Sequence, residues 1–158
     1  MIVPDTNLIV YAYNSESPFH EAAAKWWVSC LSGIEPVGLP WVVALGFIRL
    51  WTHPRVFANP MPITLAVSHV ESWLARRVVK IIHPGPHHAN LLFDFLRKEG
   101  KGGNITTDAH IAALAVEAHA TLHTADTDFI RFTGLKWVNP LTRPTSVRET
   151  EPRTSPFV

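Results

Sequence analysis

Short apolar runs alternate along this chain with longer stretches in which apolar residues return every three or four positions. The runs Met1 to Pro4, Val37 to Leu39, Val78 to Ile82 and Ala120 to Thr124 are too short for helices and are bounded by turn formers, so each predicts a buried strand. The periodic stretches predict helices: one from Thr6, a second from about Phe19 to Leu31, and a third that Pro40 opens and that runs through Leu50 or Trp51. A fourth lies near Leu65 to Arg76, with Thr64 as a cap and Val67, Val70, Trp73 and Leu74 on one side. A fifth covers about His87 to Lys98, and a sixth starts at Asp108 and carries Ala109, Ile111, Ala112, Ala113, Leu114 and Ala115. A helical turn at Phe129 to Phe132 and an edge strand at Leu135 to Val138 close the pattern. Strands alternating with helices from end to end indicate an α/β protein, a three-layer α/β/α sandwich with a parallel sheet of four or five strands. Pro4 has no N–H to give to a ladder, which suits the last position of its strand.

Composition narrows this picture. A chain of 158 residues fits one domain, 47% hydrophobic and 17% charged residues exclude a mainly disordered protein, and a formal charge of +1 gives no global signature for nucleic acid. Any such partner must be read from local clusters. Residues 1–141 form the expected domain; from Thr142 to Val158 the chain turns to Pro, Ser, Thr, Arg and Glu, a polar tail that can bury little. Cys30 is the single cysteine, so no internal disulfide forms, and its helical, apolar setting predicts a packed thiol suited to a reducing cytoplasm. The amino terminus lacks a basic signal region, and no stretch approaches the roughly 18 apolar residues of a membrane span. A soluble, cytoplasmic protein is expected.

The candidate chemistry is acidic. Asp5 ends the first strand, Asp126 and Asp128 follow the strand around Leu122, and Asp108 stands at the expected head of the sixth helix, with Thr106 and Thr107 as competing caps. There the free backbone N–H groups and the helix dipole favour its charged form. Ligands of open α/β sheets bind outside the carboxyl ends of the strands. If the first strand and the Leu122 strand are parallel, Asp5, Asp126 and Asp108 converge on one cleft, and three such carboxylates repel unless a cation or a proton sits among them. Oxygen donors without convergent Cys or His favour Mg²⁺ or Mn²⁺. Each acid alone also reads as a helix cap or an Asx turn; their joint position at one sheet edge favours the site. Asn7 and Thr124 are neutral hydrogen-bonding candidates beside them.

Other features are open to two readings. Arg49 and Arg55, expected just past a strand's carboxyl end, suit phosphate through their planar donor forks or serve as surface ion-pair partners. Trp26 and Trp27 read as packing residues or as a base-stacking platform. His83, His87 and His88 match no recognised ligand spacing. The Gly100-Lys101-Gly102-Gly103 link lacks a Walker ending and reads as an ordinary loop or as a means for Lys98 and Lys101 to approach phosphates.

Three motifs carry a family resemblance. Asp5-Thr6-Asn7, Thr107-Asp108-Ala109-His110-Ile111-Ala112-Ala113-Leu114-Ala115 and Thr124-Ala125-Asp126-Thr127-Asp128-Phe129, in this order over about residues 1–141, resemble PIN-domain ribonucleases, and within these the VapC toxins of type II toxin–antitoxin pairs. The resemblance implies a metal-dependent endoribonuclease acting on single-stranded regions of RNA, a homodimer, and inhibition by a cognate VapB-type antitoxin. It implies Asp5, Asp108 and Asp126 as Mg²⁺- or Mn²⁺-binding catalytic acids, with Asp128 auxiliary. In one departure, Gly46 stands where the family usually carries a Glu on its third helix, which leaves one or two metal ions open. Two rivals share the acids: a PIN fold without turnover that binds RNA or an antitoxin, and a metal-dependent phosphatase of small molecules.

Overall fold

The computed structural model describes residues 1–142. The tail expected over 142–158 lies, apart from Thr142, outside the described residues. Five strands, β1 (Ile2–Pro4), β2 (Val37–Pro40), β3 (Val79–Ile82), β4 (Thr121–His123) and β5 (Lys136–Val138), form one sheet in the order β3-β2-β1-β4-β5, every pair parallel. Six helices flank it: α1 (Thr6–Tyr13), α2 (His20–Ser32), α3 (Trp41–Trp51), α4 (Ile63–Leu74), α5 (His88–Glu99) and α6 (Asn104–Glu117), with a 3-10 turn at Thr127–Arg131. This is the expected α/β/α sandwich, with five strands.

The strands are apolar runs rather than alternating patterns because helices cover the sheet, as parallel sheets require. Val3, Val37, Leu39 and Leu122 are fully buried at its centre. Around them lies an aromatic core in which the Trp73 ring meets Phe47 at 4.7 Å and Trp27 at 5.4 Å, while its Nε1 donates to the Tyr13 hydroxyl at 2.7 Å. Truncating such a ring typically costs about 3–5 kcal/mol. Trp26 and Trp27 are both buried, and Trp26 Nε1 donates to His123 Nδ1 at 2.9 Å, so the pair packs the interior and offers no stacking platform. Cys30 is buried and free, its thiol pushed up to about 11, chiefly by burial.

Helix α6 begins four residues before the expected start. Gly103 opens it with φ +75°, a left-handed conformation that glycine adopts without strain, and no side chain caps the helix. The buried Ile105 anchors the added turn, and the small residues Ala109, Ala112, Ala113 and Ala115 are all buried, which lets the helix lie close to its neighbours. No helix among the described residues is long and apolar enough to cross a membrane.

The histidines settle into structural roles. His88 is buried with Nε2 2.9 Å from His110 Nδ1, and Glu117 accepts from the backbone N–H groups of Gly85 and His87, each at 2.8 Å. Burial pushes both His88 and His110 below the usual imidazole range, which keeps the pair neutral near pH 7.

Candidate functional site

Because β1 is the central strand, the residue that follows it stands at the middle of the sheet's carboxyl edge. That residue is Asp5. Its amide donates to the His123 carbonyl at 2.9 Å, so the ladder continues one step past Pro4. Only 4% of Asp5 is exposed, and its Oδ2 accepts from the hydroxyl of the fully buried Thr124 at 2.7 Å. The same Thr124 Oγ1 accepts the amide of Asp126 at 3.0 Å, and Asp126 Oδ1 accepts the amide of Asp128 at 2.8 Å as it caps the 3-10 turn. One hydrogen-bonded chain therefore joins the acid at the amino terminus to the acids after β4.

Burial pushes the Asp5 carboxyl above its ordinary 3.8; the Thr124 hydroxyl and the amide of Thr6 oppose this, Asp126 adds repulsion, and the amide of Asn7 opposes it weakly. The Thr6 and Asn7 amides act as nearby dipoles here, without the geometry of a cap hydrogen bond. Among the described residues, no basic side chain pairs with Asp5. Asn7 itself is exposed on the first turn of α1.

Asp108 is not at a helix head. It is the fifth residue of α6, in the second turn, with no acid in the first. The dipole stabilisation expected from its position in sequence is therefore absent. Its carboxyl is pushed up from 3.8 to about 6 by burial first, then by Asp5 and Asp126, with Arg131 opposing and Asp128 adding. That repulsion places Asp5, Asp126 and Asp128 within electrostatic reach of Asp108.

Arg131 and Glu99 complete the rim, and the sequence reading missed both. Arg131 Nε donates to the Asp128 carbonyl at 2.9 Å, Nη1 donates to Glu99 Oε2 at 3.2 Å, and Nη2 lies 3.3 Å from Asp128 Oδ1. The only hint in the sequence is Arg131 three residues after Asp128. The Glu99 contact joins α5 to the turn and leaves no local trace.

Arg49 and Arg55 do not sit just past a strand's carboxyl end. Strand β2 ends at Pro40, and Arg49 lies nine residues on, about 12 Å along α3 from Trp41, with Arg55 beyond the helix. Both are exposed, and neither forms an ion pair among the described residues. Gly46 packs against the neighbour of Asp5: a Cβ there would meet Thr6 Cγ2 at 3.0 Å and Thr6 Oγ1 at 3.1 Å.

Carboxylate oxygens, with hydroxyl and amide neighbours and no Cys or His among them, are the donor set of a hard divalent cation. The burial-raised Asp5, which keeps Oδ1 free of the Thr124 bond, fits such an ion by chemistry. Among the described residues, no three His, Cys, Asp or Glu side chains are already gathered at ligating distance. A shallow depression lined by Thr127, Trp137, Val138 and Asn139 shares only Thr127 with the acid-bearing turn, so it is not the cleft of the acids.

Such a sheet, with acids from both ends of the chain meeting at its centre, is the mark of a class. Residues 2–135 match the family model of the PIN domain, and the chain belongs to the PIN-domain family. Within it, the chain is 39% identical over 141 residues to Ribonuclease VapC33 of Mycobacterium tuberculosis, covering 89% of this chain and 99% of that relative. Among solved structures it is similar to VapBC-1 from nontypeable Haemophilus influenzae, with a TM-score of 0.64 and 21% identity over 90% of this chain and 100% of that one. It is also similar to Mycobacterium tuberculosis VapC20, described as a sarcin-ricin loop cleaving toxin, with a TM-score of 0.63 and 19% identity over 86% and 99% of the two chains.

Proposed function

We propose that this chain is a VapC-type toxin, an Mg²⁺- or Mn²⁺-dependent endoribonuclease that hydrolyses phosphodiester bonds in single-stranded regions of RNA. It acts in the cytoplasm as a homodimer and is held inactive by a cognate VapB-type antitoxin. The observation that carries the reading is the chain Asp5–Thr124–Asp126, which brings acids from opposite ends of the sequence to the centre of one sheet edge. The 39% identity to a named ribonuclease over 89% of the chain supports it.

Asp5 and Asp126 would hold the ion, with Asp108 completing the set. A divalent cation bound there supplies polarisation of the phosphate oxygens and a lowered pKa for water. Thr124 donates to Asp5 Oδ2 and so leaves Oδ1 as the oxygen that would hold the ion. Asp108, pushed up to about 6 and so mainly ionised at pH 7, would orient the attacking water and accept its proton. Asp128 acts through its amide, which fixes Asp126, and Arg131 holds the turn that carries both. Asn7, exposed beside Asp5, offers a neutral amide to substrate.

Cleavage of single-stranded RNA by the purified protein should require Mg²⁺ or Mn²⁺, stop on chelation, and be lost in Asp5→Asn. Equal cleavage by wild type and Asp5→Asn would assign the activity elsewhere. RNA binding without cleavage at any divalent concentration would favour the inactive binding module, for which the missing acid at Gly46 is the specific ground. Turnover of a generic phosphomonoester would favour the phosphatase.

A further inference from the structure

We propose that Arg49 is an RNA-phosphate contact of this site, its guanidinium reaching back along α3 past Gly46, which carries no side chain to stop it. The inference rests on the ribonuclease reading above. On α3 the buried residues Val43, Ala44, Phe47 and Trp51 define the inward face, and Trp41, Leu45 and Arg49 form the exposed stripe opposite. Gly46 lies on the flank between them and meets Thr6, the residue next to Asp5. Arg49 is three residues beyond Gly46, about 4.5 Å along the axis.

Helical side chains lean toward the amino terminus and cover the turn before their own Cα. The surface under Arg49 is thus that of Leu45 and Gly46, on the way to the first turn of α1. Glycine at 46 adds no side chain of its own on that path, and its backbone packs against Thr6 of that turn. An acid there would capture it.

The charge balance calls for such a group. Asp5, Asp108, Asp126 and Asp128 repel a polyanion, and Arg131, the cation that the described residues bring to their rim, is already engaged by Glu99 and Asp128. Arg49 is exposed and, among the described residues, makes no ion pair and no side-chain hydrogen bond, so its planar fork is available to a phosphate flanking the scissile one.

The test uses the full chain carrying Asp5→Asn, to stop turnover, and a short fluorescent single-stranded RNA read by anisotropy at fixed Mg²⁺ across a salt series. Arg49→Ala should weaken binding about tenfold and reduce the slope of log K against log salt by about 0.7, the value for one phosphate contact on a single strand. Arg49→Lys should restore the slope and part of the affinity. Gly46→Glu should weaken binding strongly with Arg49 present and much less in Arg49→Ala, because the new carboxylate captures the guanidinium. Affinity and slope unchanged in Arg49→Ala, or independent effects at positions 46 and 49, would overturn the proposal and leave the ribonuclease reading standing. A parent that binds no RNA, from a wild type that cleaves none, would overturn both.

Discussion

Asp108 shows the strain of the site in its own titration. Its carboxyl is raised from 3.8 to about 6, so the folded protein holds a proton there that the unfolded chain has already released. The stability this brings is complete below about pH 4 and is lost as pH rises through 6. A rise of that size corresponds to at most about 3 kcal/mol. Solvent screening at a half-buried group leaves on the order of 1–2 kcal/mol. Asp108→Asn should therefore raise the melting temperature at pH 7 in metal-free buffer and flatten its dependence on pH between about 4 and 6. Unchanged melting would mean that the neighbouring acids do not act on Asp108. Activity runs in the opposite sense: cleavage should fall about tenfold per pH unit below an apparent pKa at or under about 6, since a bound cation draws the carboxyl down. Asp5, Asp126, Asp128 and Thr124 were legible because a strand's end fixes where its next residue must point. Arg131 was not, because its value lies in two partners, Glu99 and Asp128, of which only one is near in sequence.

Helix starts were the weak point at the level of elements. Thr106 and Thr107 look like caps to a local reading, yet neither caps α6, which begins at Asn104 behind a left-handed Gly103 because burying Ile105 outweighs the missing cap. That shift moved Asp108 from a stabilised helix head into a desolvated second turn. On α3, a side chain at Gly46 must displace Thr6 by a few tenths of an ångström. Gly46→Ala should thus cost about 1 kcal/mol or less from overpacking, offset partly by better helix propensity. In the Arg49→Ala background, where no guanidinium competes for it, Gly46→Glu adds a carboxylate on the side of Asp5 and should tighten Mn²⁺ binding by calorimetry, with Gly46→Ala unchanged; unaltered binding there would show that the added carboxylate does not reach the ion. The loop at Gly85 is a further close approach, where a Cβ would stand 2.5 Å from Glu117 Oε1. Gly85→Ala should push the Glu117 carboxylate off the two amides it accepts and lower the melting temperature by roughly a few degrees.

At the scale of the whole molecule, the strand order decides the chemistry. Because β1 lies between β2 and β4 and runs parallel to both, two acids 121 positions apart, Asp5 and Asp126, share one threonine hydroxyl. The alternation of runs and helices made that parallel order readable; the pairing of β1 with β4 on the side away from β2, rather than with β3, depended on the acids themselves, since nothing in apolar periodicity distinguishes one buried strand from another. A site assembled from both ends of the chain can exist only in the folded state. An ion bound there must therefore stabilise the fold as a whole, by about 2.7 kcal/mol at a hundredfold excess over its dissociation constant. At roughly 3 °C per kcal/mol for a chain of this size, Mn²⁺ should raise the melting temperature by about 8 °C, and a chelator should reverse the rise. Asp5→Asn and Asp126→Asn should each abolish most of it, because each removes a carboxylate from the shared cleft. Asp128→Asn should keep most of it, since Asp128 acts there through its backbone amide, which the substitution leaves in place. A rise of equal size in Asp5→Asn would place the ion away from the centre of the sheet and separate metal binding from these acids.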